Sequence, residues 1–260
     1  MAVELMEISV GFGVGTLVGA LGIGGGALLM PFLLLGFGLT PLVAVGTDLA
    51  FAGVVKSFGV YWHSKSDSVD WKWVRALVMG SLPGVTLSTV LTGILGARFP
   101  EAMNQFVAGA TGVVIAALAV FSLWRTFRGP LRNGPSLGVL PQSVLTHVIG
   151  FGVGILVGLT SIGSGTVIGL FLLASTGLSA RRVVGTDLAH SLILVLLSAV
   201  LHGFYGHIAW GTWFGLILGG IPGVWLGVQF ATSFPDRVIR VGISVALIVS
   251  GVALVNHIPS

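Results

Sequence analysis

Three ionisable side chains stand inside stretches of this chain that are otherwise apolar, and they are its strongest candidates for chemistry. Asp48 and Asp187 each belong to the sequence GTDLA, near the start of a long apolar segment. Lys56 lies further along the first of these segments. A charged side chain at such depth in a membrane is costly unless it is partnered or protonated, so it is treated as functional by default.

Each of these three residues has two kinds of possible role, one in transport chemistry and one in holding the structure. Each aspartate either carries coupled protons or accepts hydrogen bonds from the exposed N–H groups of a nearby broken helix. His190 lies one turn after Asp187 on the same face and is expected to pair with it or exchange a proton with it. Lys56 attracts an anion, neutralises Asp48, or extends its ammonium to the membrane surface. A threonine precedes each aspartate, and these two hydroxyl residues, Thr47 and Thr186, are further candidates for coupling or for tuning the site.

Two glycine-rich breaks interrupt the apolar segments, with the sequences GIGGG and SIGSG. Each precedes a short predicted helix, whose first turn exposes unpaired N–H groups and the positive end of the dipole. Glycine lets the backbone itself approach a ligand. Two such starts facing each other would form an anion site; alternatively, the glycines only allow a kink or a close helix crossing. The candidate substrate-binding residues are Gly22, Ile23, Gly24, Gly25, Gly26, Thr160, Ser161, Gly163, Ser164, Gly165 and Thr166.

The breaks belong to an internal repeat. The block Gly11–Ala50 returns 139 positions later as Gly150–Ala189, with about half of the residues identical. The repeat extends to two proline kinks, MGSLPGV and LGGIPGV, in which Pro83 and Pro222 are candidate hinges. A stripe of glycines four residues apart at the start of each copy indicates close helix packing.

Composition indicates an all-α integral membrane protein. The 260 residues are 55% hydrophobic and only 8% charged, with a mean hydropathy of +1.05, against about 25% charged in soluble domains. No cysteine is present, which excludes disulfides and thiolate sites. We find no enzyme, ATP-binding, cofactor or metal motif, and the few basic residues do not indicate nucleic-acid binding. Glu4 and Glu7 near the start do not favour a cleaved signal peptide.

The apolar pattern predicts five helical segments in each half. The second segment of each half is too short to span a membrane, because a span needs about 20 residues, so it is predicted to be a half-helix or re-entrant segment. The predicted segments are 3–21, 27–36, 41–62, 71–96 and 101–124, then 142–159, 166–175, 179–204, 210–232 and 236–255. The predicted domains are a first repeat at 1–125, a cytoplasmic linker at 126–141 and a second repeat at 142–260.

Charge placement predicts that the second repeat is inverted. Five segments per half put nearly all basic residues on one side of the membrane, whereas four per half divide them almost evenly. The positive-inside rule favours the first arrangement. An odd number of segments per half inverts the second copy and places both termini outside.

The chain resembles the TauE/SafE sulfite exporter family of bacterial and archaeal membrane proteins. The resemblance rests on GxGxLxGxLGIGGGxLLxPxLLLxGL at Gly13–Leu39, on VGTDLA at Val45–Ala50 and on the GxxPG kink at Gly80–Gly84. The second half repeats these motifs, with SIGSG in place of GIGGG and Leu170 where Pro31 stands. The resemblance implies transport of a small sulfur-containing anion, such as sulfite, sulfoacetate or another organosulfonate.

These observations together predict a secondary transporter that moves such an anion across the cytoplasmic (inner) membrane by alternating access. Coupled protons and a homodimer are further expectations. The alternatives are an anion channel, a transporter of another substrate or of a cation held by the two aspartates, and a membrane scaffold or receptor without flux. Direction of transport and coupling ion stay open at this point.

Overall fold

A computed structural model describes residues 2–21, 25–65, 68–128 and 139–230. These residues form helices and connecting loops, with no strand in the described ranges. The tenth predicted segment, 236–255, and most of the linker lie outside the described residues. The helices are α1 (Ala2–Leu21), α2 (Gly26–Pro31), α3 (Pro41–Lys65), α4 (Trp71–Arg98), α5 (Pro100–Arg128), α6 (Val144–Thr160), α7 (Gly169–Ser175), α8 (Ala180–Phe204) and α9 (Trp210–Phe230).

Five of these helices are long and apolar enough to cross a membrane: α3, α4, α5, α8 and α9. The two short helices are each extended by a wider, π-helical turn. That turn follows α2 at Phe32–Gly36 and precedes α7 at Ser164–Ile168. Every residue of α2 is buried, so this short helix lies in the protein interior. Large apolar side chains such as Val113 and Leu218 are more than half exposed on the outside of the bundle, as a lipid-facing surface requires.

Side-chain caps define where several helices begin. Asp70 precedes α4 and accepts hydrogen bonds from the backbone N–H groups of Lys72 and Trp73. Ser143 caps α6, and Ser179 caps α8 in the same way. Each cap satisfies N–H groups that the first helical turn leaves without an intrahelical partner.

The predicted glycine stripe is confirmed as a packing surface. A Cβ added at Gly11, Gly15 or Gly19 of α1 would collide with the backbone of α9. Of the matching glycines of α6, 139 positions later, Gly150 and Gly154 meet the backbone of α4 in the same manner, and Gly158 meets first the side-chain hydroxyls of α4 and then its backbone. Contact positions rise together along both helices of each pair, so α1 runs parallel to α9, and α6 runs parallel to α4. Only glycine allows such close backbone contact.

The two copies of the third segment, α3 and α8, cross the centre of the bundle in opposite directions. Gly46 approaches His202, and Gly59 approaches Leu188 near the other end of the pair. Because one number falls as the other rises, the two helices are antiparallel. The starts of α3 and α8, which carry the two GTDLA sequences, therefore lie at opposite ends of the bundle.

Candidate functional site

Gly26, the last residue of the first glycine break, lies against the second break beside Asp48. Gly26 begins α2, and a Cβ added there would lie 2.6 Å from the Ser161 carbonyl oxygen and 2.7 Å from Asp48 Oδ2. Ser161 follows α6 in the left-handed backbone region, with φ of 59°, and Gly163 has φ of 114°. The second break is therefore a tight turn that directs its backbone and hydroxyl groups inward. Gly22, Ile23 and Gly24 of the first break lie outside the described residues.

Asp48 is fully buried on α3 and is held by this turn. Its Oδ2 accepts a hydrogen bond of 2.5 Å from the Ser161 hydroxyl. Its Oδ1 has no hydrogen-bond partner in the part of the chain that the structure describes. One carboxyl oxygen is thus fixed to the second repeat, while the other remains available inside the protein.

Lys56 lies two turns after Asp48 on α3 and is buried, with 3% of its surface exposed. Its Nζ donates to the Ser164 hydroxyl at 3.3 Å. It also interacts electrostatically with Asp187 and Asp48. The alternative in which Lys56 extends to the membrane surface is therefore wrong, because the side chain is buried and its ammonium donates to Ser164 of the second break.

Asp187 and His190 line the same interior from α8, but they do not pair with each other. His190 Nε2 lies 2.9 Å from Ser81 Oγ on α4. Because the Ser81 hydroxyl donates to the Leu77 carbonyl at 2.8 Å, the His190 Nε2–H donates to Ser81. The expected pairing of His190 with Asp187 is wrong, since His190 Nδ1 has no partner among the described residues. Asp187 Oδ1 is likewise unpartnered there.

These buried polar residues form one cluster, which departs from the symmetry of the repeat. Its members are Asp48, Lys56, Ser164, Asp187 and His190. The positions that match His190 and Ser81 are Phe51 and Gly220, and a Cβ at Gly220 would lie 2.6 Å from the Phe51 ring. A buried polar contact in one half therefore corresponds to an apolar one in the other. Lys56 is matched by the buried Val195, so the described part of this cluster carries one ammonium, from Lys56, and two carboxyl groups, from Asp48 and Asp187.

Several other candidates have contacts within the protein. Thr160 Oγ1 donates to Leu156 O at 2.8 Å and accepts from Ile162 N at 3.2 Å, which stabilises the turn. Gly25 packs against Val14 and Val18. Gly165 is part of the π-helical turn that begins at Ser164, and the side chain of Thr166 lies outside the described residues. Pro83 and Pro222 lie inside the continuous helices α4 and α9.

Sequence reasoning missed the polar residues of α4. Besides Ser81, Thr89 Oγ1 lies 2.8 Å from Ser198 Oγ of α8. The signal that could have found them is the presence of hydroxyl residues at helical spacing in an otherwise apolar helix. Within the described ranges, no group of three His, Asp or Glu side chains could hold a metal ion.

Comparisons with known proteins agree with this membrane architecture. The family model described as sulfite exporter TauE/SafE matches residues 8–254. The probable membrane transporter protein YjnA of Bacillus subtilis (strain 168) is 33% identical over 251 residues, covering 95% of this chain and 98% of that protein. The probable membrane transporter protein YdhB of the same organism is 24% identical over 255 residues, covering 96% and 99%. No solved structure matches the chain.

Proposed function

Because the chain belongs to the sulfite exporter TauE/SafE family of membrane transporters, we propose that it is a secondary transporter of a small sulfur-containing anion. Sulfite, sulfoacetate and other organosulfonates are the substrates to examine first. The observation that carries the proposal is the buried Lys56 ammonium, which contacts the Ser164 hydroxyl of the second break. An anion that reaches this position would gain a charge-assisted hydrogen bond in a site with little competing water.

The groups around Lys56 supply further hydrogen-bond donors. The Ser164 and Ser161 hydroxyls are both buried and can turn toward an oxyanion. Backbone N–H groups at Gly163 and Gly165 of the second break would add donors, because glycine leaves the backbone open there. A sulfite or sulfonate group presents three oxygens and can accept from several of these donors at once.

The charge of the cluster supports coupling to protons. Asp48 and Asp187 ionised together with a protonated Lys56 give a net charge of −1 in a buried site. Such a charge repels an anion and is costly to bury. One bound proton makes the cluster neutral, and a second lets a monovalent anion enter without net charge. We therefore expect the anion to move together with protons, with the aspartates and His190 as the proton-carrying candidates.

The antiparallel course of α3 and α8 supports an inverted second repeat. In this proposal the protein lies in the inner membrane, and the placement of basic residues puts both termini outside. The functional units would be the repeats 1–125 and 142–260, joined by the cytoplasmic linker 126–141. Movement of one repeat against the other would expose the cluster to each side in turn. Pro83 and Pro222 lie at matching positions in α4 and α9 and are the proposed hinges.

The test is flux into liposomes that contain the purified protein. We expect uptake of at least one of sulfite, sulfoacetate or a simple alkylsulfonate, with net proton movement reported by a trapped pH dye. Lys56→Met should abolish this flux, whereas Lys72→Met, at the exposed start of α4, should leave it intact. Folded protein that moves none of these anions would refute the substrate class. Anion flux without proton movement would refute the coupling alone.

A further inference from the structure

Two loops at opposite ends of the bundle contact the GTDLA sequences in the same way. The backbone N–H of Ala209, in the loop that follows α8, donates to Thr47 Oγ1 at 3.0 Å. The backbone N–H of Asp70, in the loop before α4, donates to Thr186 Oγ1 at 2.9 Å. The donors and the acceptors are each 139 positions apart, so one repeat-related contact occurs twice, each time between the two halves of the chain.

The glycine of each GTDLA sequence completes the contact. A Cβ added at Gly46 would collide with the carbonyl oxygen of His207, and one at Gly185 would collide with the carbonyl oxygen of Ser68. Each loop therefore lies directly on a glycine and is fixed by the hydroxyl of the next residue. The Thr47 hydroxyl donates its own proton to Val43 O at 2.7 Å, which leaves its lone pairs for the loop N–H.

The aspartate that follows each threonine lies inside the protein. Asp48 and Asp187 are 0% and 3% exposed, so each loop covers the end of the bundle beside one of the two carboxyl groups. Because α3 and α8 are antiparallel, one loop covers the cluster from one end and its counterpart covers it from the other.

We propose that the loops at 68–70 and 205–209 are the two gates of the transport pathway, and that Thr47 and Thr186 are the positioning residues that hold them closed. This inference rests on the proposed transport function. Access from one end requires one of these hydrogen bonds to break, while the other keeps the opposite end closed. The GTDLA sequence then has two roles, since its glycine and threonine hold a gate and its aspartate lines the cluster.

The two gates are reinforced by different groups. At the first, the Arg182 guanidinium lies 3.6 Å from the Asp70 carboxylate. At the second, His207 Nδ1 lies 3.4 Å from His202 Nδ1, and His202 Nε2 lies 3.3 Å from the Gly158 carbonyl oxygen. The gates therefore respond to different substitutions, and each can be opened separately.

Accessibility of a single cysteine tests the proposal without any substrate. The chain has no cysteine, so Ser164→Cys supplies one reporter in the cluster, labelled by a membrane-impermeant thiol reagent added to either side of oriented vesicles. Adding Thr47→Val should raise the labelling rate about three- to tenfold from the side of the 205–209 loop, because the loop N–H loses its acceptor. Adding Thr186→Val should raise it by a similar factor from the opposite side only.

Thr111→Val is the matched control. Thr111 is a buried threonine of α5 whose hydroxyl has no partner among the described residues, so its replacement should leave labelling unchanged from both sides. Equal increases from both sides in either gate variant, or no increase in a folded variant, would overturn the assignment. Labelling without added anion also separates a failure of the gates from a failure of the substrate proposal.

Reversible cross-links keep the proposal testable if a valine variant does not fold. The hydrogen bonds limit the Cα–Cα distance to about 7 Å in each pair, near the range that a disulfide spans. Oxidising Thr47→Cys with Ala209→Cys, or Thr186→Cys with Asp70→Cys, should stop reporter labelling from the corresponding side, and reduction should restore it. A cross-linked gate that leaves labelling from its own side unchanged would refute the proposal.

Discussion

Replacing Lys56 by methionine is the sharpest test of the proposed anion site. Methionine has a similar length and fits the buried position, but it lacks the ammonium that donates to Ser164. The change removes the buried cation of the cluster and leaves Asp48 and Asp187 in place. It therefore separates anion binding from the packing of α3.

The expected loss follows from the burial of this group. A hydrogen bond that involves a charged group contributes about 1.5–3 kcal/mol, and Lys56 as a whole is 3% exposed, so solvent screens its charge little. An anion anchored by Lys56 should thus bind about 10- to 150-fold more weakly to Lys56→Met. Lys56→Arg keeps the charge and should retain part of the affinity.

Calorimetric titration of the detergent-solubilised protein with sulfite and sulfoacetate measures this loss, with Lys72→Met as the surface control. A purely structural role predicts a lower melting temperature with unchanged affinity in the folded protein. Unchanged affinity in folded Lys56→Met would therefore refute the reasoning, because it would place the anion away from the buried ammonium.

Three further substitutions test other contacts. Gly154→Ala should lower the free energy of unfolding by about 1–3 kcal/mol, because the added Cβ would collide with the backbone of α4. Gly152→Ala, whose Cβ meets open space in the same helix, should not lower this free energy and should raise it by up to about 1 kcal/mol, because alanine favours a helix over glycine. Denaturant titration measures both. A double-mutant cycle of Ser161→Ala and Asp48→Leu should give a coupling energy of about 1 kcal/mol or more, because their side chains are directly hydrogen-bonded and leucine has no acceptor for the Ser161 hydroxyl. Additive effects would contradict that bond. Burial lowers the pKa of His207, so its imidazole binds a proton less readily in the folded protein than in the unfolded chain. Stability therefore falls as the pH drops below the ordinary histidine pKa near 6.5. His207→Gln should show a smaller drop in melting temperature between pH 7.5 and pH 5 than the unsubstituted chain.

The helices were largely predictable because their signals are local. Apolar runs bounded by polar residues predicted segments at 41–62 and 71–96, and the structure has Pro41–Lys65 and Trp71–Arg98. The close pairing of α1 with α9 was less predictable from the sequence. The glycine stripe of α1 predicts a surface for helix packing, but it does not identify the helix that packs there. α3 and α8 run antiparallel, whereas the inversion of the whole second repeat, which charge placement predicts, stays a prediction.

The candidate site was predictable in its residue types but not in its contacts. Lys56 and Ser164 are 108 positions apart, and His190 and Ser81 are 109 apart. No local periodicity relates such residues, because packing between helices of different repeats decides which side chains meet. For the same reason the expected link between His190 and Asp187, which lie one turn apart, gave way to a hydrogen bond with a neighbouring helix.

The unequal contacts of α8 with α4 and of α3 with α9 have a consequence for the resting state. In the proposed alternating-access cycle, two identical repeats would give the outward-facing and inward-facing conformations equal energies. Separating α8 from α4 breaks the polar contacts of His190 with Ser81 and of Thr89 with Ser198, each worth about 1 kcal/mol. At the matched position α3 and α9 meet through the Phe51 ring on a glycine. The empty protein should therefore populate one of the two conformations in excess.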